Sequence, residues 1–335
     1  MECYTFRITE ICDKNCETCC CKKSKAILNP DLLLNKLKDI KVYHQHNNLG
    51  RVTIILTGGE PFFYKIKTRN NNIYNIIELL KDINQTIPGC RIIIKTSGWK
   101  NHIKLNSILK QVYFDFPRII LRIGFNLYQN NGSYSDERLF NMISLILNYQ
   151  NEIKIETIYD KKNISETFKV ITKVLKRFYT PEIENLERMI IYPEFGHRFV
   201  IPLVYFSTNG NKILHRRIKI EAMPAYNVII DDFNLDYYEA GIFKDCPNMI
   251  NGPNNILYNP DLSFYHCNDA FVDYSIPAFS STCFDTTEFQ HDFLKHKFEK
   301  IKAKIKHENL KFKNRRERCR YCTTIMHDST DFKIF

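Results

Sequence analysis

The chain has 335 residues, 44% hydrophobic and 25% charged, a composition typical of a globular protein with a buried core. No apolar run approaches the roughly 18 residues of a membrane-spanning helix, and the first residues lack a secretory signal. We therefore expect a cytoplasmic protein without a membrane partner, whose twelve cysteines indicate metal or redox chemistry rather than a disulfide framework. The net charge of +11 is compatible with nucleic acid, an acidic peptide or no charged partner.

Predicted strands and helices alternate through the first part of the chain. The strands are 3–9, 51–57, 90–97, 118–125, 152–159 and 187–194, and the helices are 29–43, 72–83, 102–112, 135–149 and 163–178. This alternation predicts an α/β fold with a parallel sheet and helical crossovers. Six units are too few for an eight-stranded barrel, so we predict a partial (β/α)6 TIM-like barrel with site residues after the strand C-terminal ends.

After about residue 215 the alternation stops, which predicts a barrel over 1–215 and a smaller, cysteine-rich α+β extension over 216–335. A turn at 259–261 predicts a hairpin whose second strand ends in Cys267. A helix is predicted over 287–308, and its apolar stripe is formed by Leu294, Phe298, Ile301 and Ile305. Because no low-complexity linker separates the two parts, we expect them to pack together.

Cys12, Cys16 and Cys19 form the pattern C-x3-C-x2-C directly after the first predicted strand. Three thiolates can bind a four-iron cluster and leave one iron open to a small molecule. A zinc site is the alternative, in which Cys319 and Cys322 would complete the ligand set.

The second predicted strand ends in the sequence TGGEP, which contains Gly58, Gly59 and Glu60. Glycines there remove side chains that would block a ligand from the backbone edge, and Glu60 could accept a hydrogen bond from an ammonium group. Alone, this sequence would be an ordinary tight turn. Together with the preceding cysteine loop, it resembles the radical S-adenosylmethionine (SAM) superfamily, over roughly residues 3–200.

The resemblance implies a [4Fe–4S] cluster whose free iron binds the amino and carboxylate groups of SAM. One electron would then release a 5′-deoxyadenosyl radical, which removes a hydrogen atom from an unactivated carbon. The cluster ligands would be Cys12, Cys16 and Cys19, and the methionine end of SAM would contact Gly58, Gly59 and Glu60. Thr18 stands where the superfamily usually has an aromatic residue near the adenine.

Further strand-end positions match places where the superfamily contacts SAM, with core or rim packing as the alternative for each. The candidates are Thr96, Ser97 and Gly98 after the third strand, Asn126 after the fourth, and Lys154 and Thr157 in the fifth. Lys154 and Thr157 are three residues apart and face opposite sides of a strand, so at most one points into the barrel. No catalytic side chain is identified.

The C-terminal part carries a second cysteine set, Cys246, Cys267, Cys319 and Cys322. It resembles the auxiliary-cluster extension of radical SAM enzymes, the shorter twitch or the longer SPASM type. The resemblance implies a second [4Fe–4S] cluster with four protein ligands. The alternative is a structural zinc ion in the same four thiolates.

Radical SAM enzymes with this extension often modify ribosomally made peptides or proteins by crosslinks, thioethers, oxidation or epimerisation. We therefore expect an oxidoreductase-type peptide maturase that uses a flavodoxin or ferredoxin as electron donor. Asn268 follows Cys267 where an epimerase would carry a thiol donor, which argues against epimerisation unless Cys283, Cys90 or Cys3 provides the donor. Two alternatives are a radical SAM enzyme acting on RNA or a small metabolite, since residues 295–320 are basic, and a non-enzymatic zinc-binding interaction protein.

Overall fold

The computed structural model describes residues 2–13, 16, 24–68, 71–97, 107–108, 110–112, 115–116, 118–124, 152–159, 198–206, 212–224, 252–267, 278–280, 286–312 and 315–326. Three predicted elements, the helices 135–149 and 163–178 and the strand 187–194, lie outside these ranges. None of the helices in the described ranges is long and apolar enough to cross a membrane.

In the described ranges, nine strands form one sheet and two more form a small hairpin. The strands are β1 (Cys3–Thr9), β2 (Thr53–Gly58), β3 (Lys65–Lys67), β4 (Ile73–Asn75), β5 (Arg91–Thr96), β6 (Ile119–Gly124), β7 (Ile153–Tyr159), β8 (Arg198–Phe206), β9 (Lys212–Pro224), β10 (Asn255–Tyr258) and β11 (Phe264–Tyr265). The helices are α1 (Pro30–His46), α2 (Ile76–Thr86), α3 (Thr287–His307) and α4 (Arg315–Met326), and a 3-10 turn covers Pro61–Phe63.

The strand order in the large sheet is β11-β10-β1-β2-β5-β6-β7-β9-β8. All neighbours from β10 to β9 pair in parallel, whereas β11 and β8 are antiparallel at the two edges. The predicted mostly parallel α/β sheet is therefore confirmed. Strand β9 pairs with β7 and crosses position 215. The predicted hairpin with a turn at 259–261 is present as β10 and β11, in the same sheet as β1, but β11 ends at Tyr265 rather than at the predicted Cys267.

Capping side chains set where the first two helices begin. Asn29 accepts a hydrogen bond from Asp31 N at 2.8 Å, and Pro30 opens α1, as the sequence predicts. Helix α2 begins at Ile76 rather than at residue 72, so that predicted boundary is wrong. The reason is a capping box, in which the Asn75 side chain accepts from the backbone N–H of Glu78 and the Glu78 side chain accepts from the backbone N–H of Asn75. Residues 73–75 pair with β3 instead and form β4.

One face of the sheet carries the main core, where α1, α2 and α3 pack on the apolar residues of the strands. The predicted stripe of α3 is confirmed, because Leu294, Phe298 and Ile301 are buried and Ile305 packs against the same cluster. The opposite face carries a smaller cluster of Ile55, Ile93 and Ile120, with Cys3 packed beside it. We call this second face the inner face.

Candidate functional site

The cysteine loop leaves the carboxyl end of β1 and is closed at its base by backbone hydrogen bonds. Glu10 N donates to Ala26 O and Leu28 N donates to Ile8 O, each at 2.9 Å. The hydroxyl of Ser24 also donates to the Glu10 carboxylate. Entry and exit of the loop are thus held side by side at the strand end. Within the loop, Cys12 and Cys16 are half-buried, while Cys19 lies outside the described residues.

The two glycines of TGGEP lie against the backbone at the start of this loop. A Cβ on Gly58 would be 2.0 Å from the Thr9 carbonyl oxygen, and a Cβ on Gly59 would be 2.2 Å from that of Ile11. Gly58 also has φ of 128°, a conformation that side chains disfavour. The glycines therefore permit a direct backbone contact, in which Gly59 N donates to Thr9 O at 2.6 Å and Glu60 N to Ile11 O at 2.8 Å.

The Glu60 side chain is fully buried, and both of its carboxylate oxygens accept hydrogen bonds from neighbouring residues. Its Oε1 accepts from Thr96 Oγ1 at 2.8 Å and from Phe62 N at 3.3 Å. Its Oε2 accepts from Ser97 N at 3.0 Å and from Ser97 Oγ at 2.9 Å. A carboxylate has about four lone-pair positions, so these four bonds use its capacity. The side chain thereby joins the ends of β2 and β5.

Burial raises the pKa of Glu60, and the hydrogen bonds from Ser97, Thr96 and Phe62 oppose that rise. A direct bond from its carboxylate to an ammonium group would require one protein donor to move away. Contact of SAM with Gly58, Gly59 and Glu60 stays a prediction.

The other residues predicted to contact SAM differ in their distance from Glu60 and in how far the structure describes them. Thr96 and Ser97 lie beside Glu60, and both donate to it. Lys154 is the second residue of β7 and pairs in register with Arg122 of β6, below the strand end. For Thr157 the structure describes the strand backbone alone, and Gly98 and Asn126 lie outside the described ranges. Their roles as SAM contacts stay predictions.

Two of the four predicted auxiliary cysteines are described with their side chains. Cys322 is buried on α4, with its Sγ 3.9 Å from Nε2 of His266, and Cys267 directly follows that histidine. Helix α4 therefore meets the end of the β10–β11 hairpin. Cys246 and the side chain of Cys319 lie outside the described part of the chain. Among described residues, no three His, Cys, Asp or Glu side chains come together as a metal-binding group.

No protein-family model matches the chain, and no curated protein matches it. Among solved structures, the fold is similar to Streptococcus suis SuiB bound to the precursor peptide SuiA, at 12% identity and a TM-score of 0.42 over 79% of this chain. The chain spans 59% of the length of that protein. Native anSMEcpe with bound AdoMet and the Cp18Cys peptide gives 14% identity and a TM-score of 0.48, over 88% of this chain and 82% of that chain.

Proposed function

We propose that the chain is a radical SAM enzyme that abstracts a hydrogen atom from a peptide or protein substrate for its post-translational modification. The observation that carries the proposal is the backbone contact between the TGGEP turn and the start of the cysteine loop. Gly59 N and Glu60 N bind Thr9 O and Ile11 O, and Cys12 is the next residue of the chain. The two motifs of the sequence resemblance therefore adjoin at one edge of the sheet.

The donor set at this edge fits the expected iron–sulfur cluster. Cys12 and Cys16 are half-buried on a loop whose base is closed by hydrogen bonds, and thiolates are the usual ligands of such clusters. Cys12, Cys16 and Cys19 would hold the cluster, and the backbone of Gly58 and Gly59 would receive the methionine end of SAM. When bound, the cluster and SAM together supply a carbon-centred radical to the substrate.

The chain's own residues would bind and orient these groups. The Glu60 carboxylate fixes Thr96 and Ser97 at the end of β5, next to the TGGEP turn. Asn126, Lys154, Thr157 and Gly98 remain candidates for further contacts to SAM. The parallel strands would curl into a partial barrel over residues 1–215, and residues 216–335 would form an extension of the twitch or SPASM type.

In that extension, Cys246, Cys267, Cys319 and Cys322 would hold an auxiliary [4Fe–4S] cluster. The contact between Cys322 and His266 supports this proposal, because it brings helix α4 to the residue before Cys267. A flavodoxin or ferredoxin would supply electrons, and the reaction on the peptide would be a crosslink, a thioether, an oxidation or an epimerisation.

The test is anaerobic purification, cluster reconstitution and incubation with SAM and dithionite. We expect about eight irons per chain and formation of 5′-deoxyadenosine. Replacing Cys12, Cys16 or Cys19 by Ser should abolish 5′-deoxyadenosine and remove about four irons. Cys90→Ser is the matched control, since Cys90 precedes β5 far from the loop in sequence and should keep both. A colourless protein that carries zinc would overturn the proposal.

A further inference from the structure

The two residues that follow β11 contact different sides of the sheet. Cys267 is half-buried and packs against Leu257 and Tyr265, which form a cluster separate from the main core. His266 lies against Phe298 of α3, with ring centroids 5.9 Å apart, and Phe298 is part of the main core. Successive residues of an extended segment point to opposite faces, so this difference is expected. Of this pair, His266 is the residue on the side of the sheet that α3 covers.

Helix α4 approaches the hairpin from that same side. Cys322 of α4 belongs to the main core together with Phe298, and its Sγ lies 3.9 Å from Nε2 of His266. Cys322 and His266 are 7% and 1% exposed, so their contact is buried. The Phe298 ring and the Cys322 sulfur both contact the imidazole, and Nε2 is the atom that faces the sulfur. The hairpin residue that meets Cys322 is thus His266.

The distance between Nε2 and Sγ suits two ligands of one metal ion. Zinc binds imidazole nitrogen at about 2.0–2.1 Å and thiolate sulfur at about 2.3 Å, which places two such atoms about 3.5 Å apart in a tetrahedral site. The observed separation of 3.9 Å is close to that value. A neutral thiol, in contrast, is a weak hydrogen-bond partner for an imidazole. Metal coordination therefore explains this arrangement better than a hydrogen bond between the two side chains does.

The sequence of α4 places a second cysteine next to Cys322. Cys319 lies three residues earlier on the same helix, and positions three apart are neighbours on a helix. A C-x2-C pair is typical of zinc sites, in which histidine commonly joins cysteines, and imidazole also binds iron in some iron–sulfur clusters. Burial does not oppose binding, because such sites form as the chain folds around the metal.

We propose that His266 is a metal ligand and binds the same metal as Cys322, in the position proposed above for Cys267. The inference rests on the proposed function for the presence of a metal site in the C-terminal extension, and it changes one member of the ligand set. Cys319 and Cys246 remain the other proposed ligands. The metal is one that accepts both thiolate and imidazole, either iron of an iron–sulfur cluster or zinc.

The test uses the full chain with Cys12, Cys16 and Cys19 replaced by Ser, so that bound metal belongs to the C-terminal site. The protein is purified anaerobically, and its iron and zinc are measured by mass spectrometry before and after reconstitution. His266→Phe should remove this metal, since phenylalanine fills the space beside Phe298 but has no atom that binds a metal. His266→Cys should keep the metal, because a thiolate replaces the imidazole.

Two control variants and one spectroscopic measurement separate metal binding from packing. Cys267→Ser should retain the metal, and so should His291→Phe, which replaces another buried histidine, on α3. Protein grown with isotopically labelled histidine should show a nitrogen coupling in pulsed electron paramagnetic resonance of the reduced cluster. If the metal is zinc, X-ray absorption at the zinc edge should show imidazole scattering. Circular dichroism checks the fold of each variant, and the nitrogen signal decides if His266→Phe does not fold.

Retention of the metal in His266→Phe would overturn the inference, and so would its loss in Cys267→Ser or a metal site without a nitrogen ligand. A chain that binds no metal once Cys12, Cys16 and Cys19 are replaced would overturn it together with the proposed auxiliary cluster. Formation of 5′-deoxyadenosine by the unsubstituted chain tests the SAM site separately. This inference and the radical SAM activity can therefore fail independently.

Discussion

The Glu60 carboxylate accepts hydrogen bonds from both the backbone amide and the hydroxyl of Ser97, at 3.0 and 2.9 Å. Glu60 follows β2 and Ser97 follows β5, so a single side chain ties together two strand ends of the candidate site. The same strand β2 is tied to β1 through Gly59 and Thr9. Three neighbouring strands are thus fixed relative to each other where the sequence motifs meet.

Glu60→Gln should destabilise the protein by about 2–4 kcal/mol, because a buried amide replaces an acceptor for Thr96 and Ser97 and brings donors of its own. The measurement is the free energy of unfolding in urea, with 5′-deoxyadenosine formation assayed beside it. Glu299→Gln is the control, since Glu299 is 61% exposed and paired only with Lys302 in the described ranges. Its effect should stay below about 1 kcal/mol. Equal effects of the two variants would show that the bonds of Glu60 contribute little.

Gly59→Ala should cost about 3 kcal/mol or more, because its Cβ would lie 2.2 Å from the Ile11 carbonyl oxygen and backbone must move to relieve the clash. Thermal unfolding and iron content after reconstitution are the measurements, and both should fall. Gly50→Ala is the control, because no atom lies within 4 Å of its added Cβ. A Gly59→Ala protein with unchanged stability and iron content would contradict the close packing.

Phe298→Ala should destabilise by about 3–5 kcal/mol, since Phe298 of α3 is buried in the core that also contains β1 residues. Phe289→Ala on the same helix removes the same atoms from a side chain that is 45% exposed. We expect a change below about 1 kcal/mol from this control. Urea unfolding followed by circular dichroism distinguishes the two, and similar losses would argue against docking of α3 on the sheet.

Stability should fall as the pH drops from about 6.5 to 4, because of His291. Burial lowers the pKa of His291 from 6.5 to about 4, and the nearby charges of His44 and Lys36 act in the same direction. Glu2 and Asp292 oppose the shift. The unfolded chain therefore takes up a proton in this range that the folded protein does not, which costs on the order of 2–3 kcal/mol.

Urea unfolding at a series of pH values measures this dependence. His291→Asn should flatten the slope between pH 6.5 and 4, whereas Phe289→Ala, an exposed position of the same helix without a titratable group, should leave it unchanged. The other groups around the His291 ring are Tyr4, whose hydroxyl lies 3.2 Å from Nε2, and Tyr43, which stacks on it. A slope that survives in His291→Asn would assign the pH dependence to another group.

The sequence predicted the boundaries of those elements whose ends are set by neighbouring residues in the chain. β1 spans the predicted residues 3–9, and Asn29 with Pro30 set the start of α1. The predicted start of α2 was wrong because Ile73 and Tyr74 continue the helical spacing of the residues after them, and only pairing with β3 makes residues 73–75 a strand. The parallel pairing of β10 with β1 joins distant parts of the chain, so no local pattern could predict it.

The sequence predicts which motifs form the candidate site, but it does not predict the contacts between their side chains. The spacing of Cys12 and Cys16 and the sequence TGGEP point to the ends of β1 and β2, which the structure brings together. The orientation of the Glu60 carboxylate depends on Ser97, which is remote in sequence, and therefore needed the fold.

The parallel pairing of β1 with β10 has a consequence for biosynthesis. β1 is translated well before its outer neighbour β10, which begins at Asn255. Until that hairpin emerges from the ribosome, β1 presents an open hydrogen-bonding edge to the cell. Such a late, long-range closure slows folding and exposes the nascent chain to aggregation. Co-expression of a chaperone should therefore raise the yield of soluble protein.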